Sequence, residues 1–333
     1  MATLKYLARK TCVLIPIFIL TSLFIFILLR YGPGDPVAIR AGQRASEETV
    51  EQIRHELGLD RPVYVQYGEY MSGFFRGDFG ESISKYPGVK INKIILPKIW
   101  VSAQLGLFAL LLTFSLGIPL GILSALAHRK WLDPLIISSL LFFASIPVLI
   151  LIPILQYILV LKLHLVPASG WSPIFSLHHL PDSFGAASKF PLPWLAPPKT
   201  IILPLLALSL PGLAGTARFV RILVLGVLDQ DYVRTAKAKG LSEFIILRRH
   251  VMPNALLPLS TAILLALAGV AEGAFFTETL YGIPGIGRLS VESVFARDYD
   301  MIMAISLLAF GIFLIAMLLR DVMYGFLDPR VKL

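Results

Sequence analysis

The groups with which this chain could do chemistry are few and poorly grouped: six histidines, one cysteine and 21 acidic residues in a length of 333. Nucleophilic or zinc-dependent hydrolysis needs its residues in register, and neither G-x-S-x-G nor H-E-x-x-H occurs. His164, His178 and His179 fall in or near one Pro- and Ser-rich stretch, 161–199. No carboxylate or cysteine stands at ligand spacing from them, and adjacent histidines do not share a helix face. Polar loop residues are therefore expected rather than a metal centre. A lone cysteine, Cys12, permits no intrachain disulfide. G-x-x-x-x-G-K-[ST] is also missing, so the chain cannot hold ATP through a P-loop. No catalytic residue, metal or cofactor of its own is expected.

Two acids and one basic stretch remain. Glu272 and Glu278 lie in or near a long apolar run. A carboxylate at a bilayer centre costs roughly 2.5–3.5 kcal/mol on insertion scales, so such a residue faces protein or a water-filled path. Glu278 fits the outer interface as well as a gate. With Pro147, which together with Pro153 should kink another apolar run, these residues are the candidate translocation path or gate. The basic stretch is "RTAKAKGLSEFIILRRHVMPN", residues 234–254, set between two apolar runs. Gly240 divides it into two short helical pieces and Ser242 can cap the second. Helical spacing places Phe244, Leu247 and Val251 on one face, with Arg248 and Arg249 largely off it. An apolar face in a basic setting suits an anionic lipid surface or a protein partner.

The elements that must position these groups follow from composition. Hydrophobic residues make up 56% of the chain and charged residues 15%, with mean hydropathy +0.76, so much of its solvent is lipid. About 20 residues at 1.5 Å rise cross a hydrocarbon core of roughly 30 Å. Six apolar runs reach that scale, near 11–29, 100–127, 135–160, 200–225, 256–280 and 301–319. They are too long and too uniformly apolar for barrel strands, so an all-α membrane protein is predicted. The first run lacks a small-residue cleavage site and reads as an uncleaved anchor rather than a signal peptide.

Net charge +9 and pI about 9.6 could suggest nucleic acid, but the basic residues follow topology. They collect in 1–10, 128–134, 218–254 and the tail from Arg320, whereas the short segments between carry few. The positive-inside rule then places both termini in the cytoplasm. Arg218 and Arg221 are expected to snorkel at the cytoplasmic end of the fourth run. The organisation is an N-terminus and first span (1–29), an extracytoplasmic subdomain (30–99) and a five-helix core (100–333) with a cytoplasmic loop at 226–255. Within the subdomain, "SEETVEQIRHELGL" reads as a helix begun at Ser46 and ended by Gly58. A second amphipathic helix follows, with Val63, Tyr67, Tyr70 and Phe74 one turn apart. So small a piece should rest on the membrane helices or a partner. The Gly- and Pro-dense segment 281–300 should not form one continuous helix.

Ala236, Gly240 and Pro253, thirteen residues after the glycine, resemble the cytoplasmic loop of binding-protein-dependent ABC importers. That family's pattern is Glu-Ala-Ala, three residues, Gly, nine residues, a hydrophobic residue, one residue, Leu-Pro. Here Arg234 replaces the usual Glu, Thr235 follows, His250 replaces the hydrophobic residue and Met252 precedes Pro253. "DYVRTAKAKGL" is similar to the peptide and nickel branch. So are "GPGDP" (32–36), "GLDRPVYVQYGEYMSGFFRGDFGES" (58–82), "SIPV" (145–148), "VPASG" (166–170), "ARFVR" (217–221), "TETLYGIPGIGRL" (277–289), "RDYDM" (297–301) and "DPR" (328–330).

The resemblance implies a type I ABC importer permease fold with six spans, in a bacterial or archaeal cytoplasmic membrane. It implies a second homologous permease, two ATP-binding subunits that hold ATP and Mg, an extracytoplasmic solute-binding protein and surrounding lipid as partners, and no nucleic acid. Arg234, Thr235, Ala236, Lys239, Gly240, Leu241, Phe244, Pro253 and Asn254 would form the ATPase-coupling element. The solute, a dipeptide, oligopeptide, nickel chelate or sugar, stays open. An ion-coupled secondary transporter is the alternative, but it would call for intramembrane ion sites and two related halves.

Overall fold

The computed structural model of the protein describes residues 2–31, 46–56, 58–171, 199–270 and 273–327. Glu272, His178, His179 and the motifs at 32–36 and 328–330 lie outside the described residues. Those described form helices and the turns between them, with one isolated antiparallel bridge joining Glu81 and Lys90. In order they are α1 (Ala2–Arg30), α2 (Glu47–Glu56), α3 (Val63–Phe75), α4 (Ile91–Leu126), α5 (Leu132–Ser145) and α6 (Val148–Gln156). After α6 comes a π-helical stretch, Tyr157–Lys162. Then follow α7 (Lys199–Leu228), α8 (Asp231–Ala238), α9 (Glu243–Ile246), a second π-helical stretch (Leu247–Val251), α10 (Met252–Gly269), α11 (Phe275–Tyr281), α12 (Ile286–Ala296) and α13 (Tyr299–Leu327).

Four helical segments are long and apolar enough to span: Arg9–Arg30, Ile91–Leu126, Lys199–Leu228 and Tyr299–Val322. Two bent pairs, Leu132–Ser145 with Val148–Lys162 and Glu243–Ala255 with Pro258–Leu267, bring the number to six when each pair is counted as one span. Three of the predicted runs differ in detail. The third is bent by 100° between Ser145 and Val148, because Pro147 has no N–H to donate and holds Ile146 extended (φ −81°, ψ 120°). The fifth does not reach 280: α10 ends at Gly269 and α11 is a separate helix, with Gly273 at φ +80° just ahead of it. The second begins at Ile91, before the expected start at 100, since Lys98 lowers the local hydropathy yet is itself buried.

α4 and α7 pack face to face with almost no side chain between them. A Cβ on Gly121 would lie 2.6 Å from the Ala217 carbonyl and 2.8 Å from Val220 Cβ, and one on Gly117 2.9 Å from Thr216. Glycines four residues apart let two helix backbones approach this closely, and dispersion over the contact then replaces the hydrophobic effect that lipid cannot supply. Near the C-terminal end of α1, Val63, Tyr67, Tyr70 and Phe74 of α3 pack around Phe26, Met71, Met303 and Leu307. The Tyr67 hydroxyl lies 2.7 Å from Ser22 Oγ on α1. The small piece between α1 and α4 therefore does rest on the long helices, and Gly58 (φ +64°) closes α2 as expected.

Candidate functional site

The basic stretch folds as a packed base carrying an exposed tip. Val233, Ala236, Ile246 and Val251 are buried with Ala125 of α4 and Val220 and Val224 of α7. Burying each of the larger side chains contributes about 1.5–3 kcal/mol. Ala236 is small because it meets that core. Gly240, at φ +78°, turns the chain between α8 and α9; a Cβ there would meet nothing within 4 Å, so backbone conformation and not space calls for glycine. Ser242 occupies the N-cap position of α9 without a side-chain cap bond.

The expected apolar face is corrected in one respect. Val251 is buried, but Phe244 is 69% exposed and Ile246 takes the inward position. The π-helical stretch Leu247–Val251 widens the turn, so residues aligned by a 3.6 period drift out of line. Around Phe244 the tip presents Leu241, Ile245 and Tyr232 together with Arg234, Lys237, Lys239, Arg248 and Arg249, all exposed. Arg234 lies 3.5 Å from Asp231, an exposed pair worth little. Thr235 Oγ1 donates to the Asp231 carbonyl (2.9 Å) and Asn254 Nδ2 to the His250 carbonyl (2.8 Å), which holds both ends of the loop in helical form. Pro253 stands in the first turn of α10, where a missing N–H costs nothing.

Beside this base lies a group of charges that the sequence reading missed. Asp133, buried at the start of α5, accepts from Arg221 Nε (2.7 Å) and Nη2 (2.6 Å) and from Ser124 Oγ (2.5 Å). His128 Nδ1 is 3.3 Å from its Oδ2. Arg221 thus does not snorkel; it is drawn inward by the carboxylate, while Arg218 is exposed. The only hint in sequence was one acid in the basic "HRKWLDP".

Of the expected path residues, Glu278 is fully buried. Its Oε1 accepts from Ser102 Oγ (2.6 Å) and the Ala274 N–H (3.0 Å), and its Oε2 from the Arg288 N–H (3.0 Å). Ser102 Oγ in turn accepts the Ile286 N–H at 2.8 Å. Glu278 therefore fastens the turn before α12 onto α4. A cavity of about 270 Å³ opens between α4, α7 and α10, lined by Ser102, Gly106, Leu110, Leu208, Ala266 and Val270 among others. Neither Glu278 nor Pro147 lines it; Glu278 stands behind Ser102, and Pro147 sits at the exposed bend.

Two further clusters brace the same end of the helix bundle. Asp298 is buried; it accepts from Ser82 Oγ and from the N–H groups of Lys85 (2.9 Å), Ser84 (3.3 Å) and Ile83 (3.4 Å). Glu292 lies 3.1 Å from Lys85 and 2.8 Å from Arg288. Burial favours its neutral form, but the hydrogen bonds and charges of Lys85 and Arg288 outweigh it and hold the carboxyl below the usual range.

Comparison with known proteins agrees over the whole length. The family described as "Binding-protein-dependent transport system inner membrane component" matches residues 117–333, and its N-terminal companion, "Binding-prot-dependent transport system membrane comp, N-term", matches residues 3–89. A probable peptide ABC transporter permease protein of Sinorhizobium fredii is 34% identical over 98% of this chain and 99% of its own. The dipeptide transport system permease protein of Alkalihalophilus pseudofirmus is 33% identical, and the oligopeptide transport system permease protein of Escherichia coli 31%, each over 99% of both chains. Among solved structures, the inward-facing MetNI methionine ABC transporter matches with TM-score 0.53 and 14% identity, covering 71% of this chain and 96% of that one. This last likeness bears on the fold alone.

Proposed function

We propose that this chain, which belongs to the family of binding-protein-dependent transport system inner membrane components, is one of two permease subunits of an ATP-driven importer for di- or oligopeptides. The peptide class is supported by the full-length relatives, which are peptide, dipeptide and oligopeptide permeases by name. ATP and Mg belong to two separate ATPase subunits, an extracytoplasmic binding protein delivers solute, and both termini lie in the cytoplasm, as the basic residues favour.

The observation that carries this reading is the loop at 231–254: an exposed aromatic tip among cations, mounted on a base packed against α4 and α7. Phe244 and Leu241 enter a cleft on one ATPase. Closure of the two ATPases on ATP moves the loop, and its base passes that movement to the spans as a rigid body, which is the physical content of coupling between distant sites. No observation favours an ion-coupled transporter.

The deciding experiment is affinity purification of the chain from its native membrane, followed by ATPase and vesicle-uptake assays with candidate binding proteins and peptides. Co-purifying ATPases that are stimulated by one peptide-loaded binding protein are the expected result. A chain that purifies alone and moves solute on an ion gradient would overturn the reading.

A further inference from the structure

We propose that the Asp133–Arg221 pair is a positioning pin that carries movement of the cytoplasmic loop into α5, and with it into the bent third span. The inference rests on the coupling reading above and adds the route by which a push at the loop reaches a helix the loop base does not contact through its core.

The geometry is a matter of adjacent residues on two helices. On α7, Val220 and Val224 face the loop base, and Arg221, between them, faces Asp133. On α4, Ala125 faces the loop base, and Ser124, its neighbour, donates to the same carboxylate. One turn of each helix thus has the loop on one side and the pin on the other. Just beyond, at Gly117 and Gly121, α4 and α7 meet backbone to backbone, so the two cannot slide independently without losing that contact. The third helix, α5, packs along α7 and touches α4, and the carboxylate of Asp133 fixes its register on that pair. That residue lies in the first turn of α5, where the helix dipole favours a negative charge.

A bidentate guanidinium–carboxylate contact fixes distance and also plane, which apolar packing does not. The charged groups facing Asp133 are Arg221 from α7 and His128 from the turn after α4, and Ser124 completes the set. Of the other buried carboxylates, Glu278 and Asp298 fasten turns away from the loop, and Asp321 of α13 pairs with Lys10 of α1 and its neighbour Arg320. Only this one ties three helices together beside the loop base among the described residues.

The test separates positioning from mere stability by using the whole importer complex. Replacing a buried ion pair with apolar groups of similar volume commonly leaves stability unchanged or improved, whereas removing one partner does not. The double variant Asp133→Leu with Arg221→Met should therefore assemble with its ATPases and melt within a few degrees of wild type. It should still lose at least about tenfold in peptide taken up per ATP hydrolysed. Arg221→Lys, which keeps the charge but loses the bidentate plane, should lie between the two.

A double variant that assembles and transports at the wild-type ratio would overturn the proposal. If the double variant fails to assemble, Ser124→Ala and Arg221→Lys decide it by the same ratio: an unchanged ratio in both overturns it, and a fall in both supports it. Phe244→Ala is the parallel control for the coupling reading. If it leaves transport per ATP untouched, the loop reading itself fails; if it lowers the ratio while the pin variants do not, only the pin does.

Discussion

The loop at 231–254 and the turn at 273–288 look alike as sequence. Both are punctuated by glycine, both join apolar helices and both hold charges. In the structure they are opposites. Gly240 sits in open space at φ +78°, whereas a Cβ on Gly285 would lie 2.4 Å from both Glu278 Oε2 and Ser102 Oγ. The loop leaves its cations and Phe244 exposed; the turn satisfies its carboxylate three times over within the chain. A region that leaves its polar and apolar groups unspent can offer them to a partner, and one that uses them internally holds its shape.

The largest expected effect breaks the closed side of this contrast. Gly285→Ala should destabilise the assembled protein by about 3 kcal/mol, because overpacking here meets a hydrogen-bonded pair that cannot move aside; a drop in thermal midpoint and in yield of folded protein measures it. Next, Phe244→Ala should leave that midpoint unchanged but weaken ATPase association by about 2 kcal/mol, roughly thirtyfold, as expected for an aromatic anchor. Titration of purified ATPase against the permease pair checks this, and an unaltered affinity would place the tip elsewhere.

Gly240→Ala should cost about 1 kcal/mol through the left-handed backbone alone and reduce transport per ATP, while Gly240→Asn, which tolerates that conformation, should restore most of it. Equal losses in both variants would mean that space, not conformation, governs the turn. The smallest effect is a pH dependence at the Glu292 cluster. The Glu292 carboxyl is held below its usual range, so its contribution is complete above the unfolded value near pH 4.3 and fades as pH falls through the folded value. The fall in thermal midpoint from pH 6 to pH 3.5 should be smaller in Glu292→Gln than in wild type.

What was legible in the sequence was local. The glycine stops at Gly58 and Gly240, the bend at Pro147 and the apolar face of α3 each depend on neighbours within a turn or two, and all were placed correctly. The inward position of Ile246 was missed because a π-helical stretch changes the period within one short segment. The roles of Arg221, Glu278 and Asp298 were hidden for another reason. Their partners lie 88, 176 and 213 residues away in the chain, and a charge beside an apolar run reads the same whether it faces lipid headgroups or a buried acid. The break after Gly269 was invisible because hydropathy does not register a change of direction.

The length of α4 has a mechanical meaning of its own. Its 36 residues make a rod of about 54 Å, nearly twice the thickness of a hydrocarbon core. By that geometry, a tilt of only about 10° about one end carries the other through about 9 Å. A modest stroke at one end of such a rod is therefore enough, by leverage alone, to move the far end by more than the width of a helix backbone.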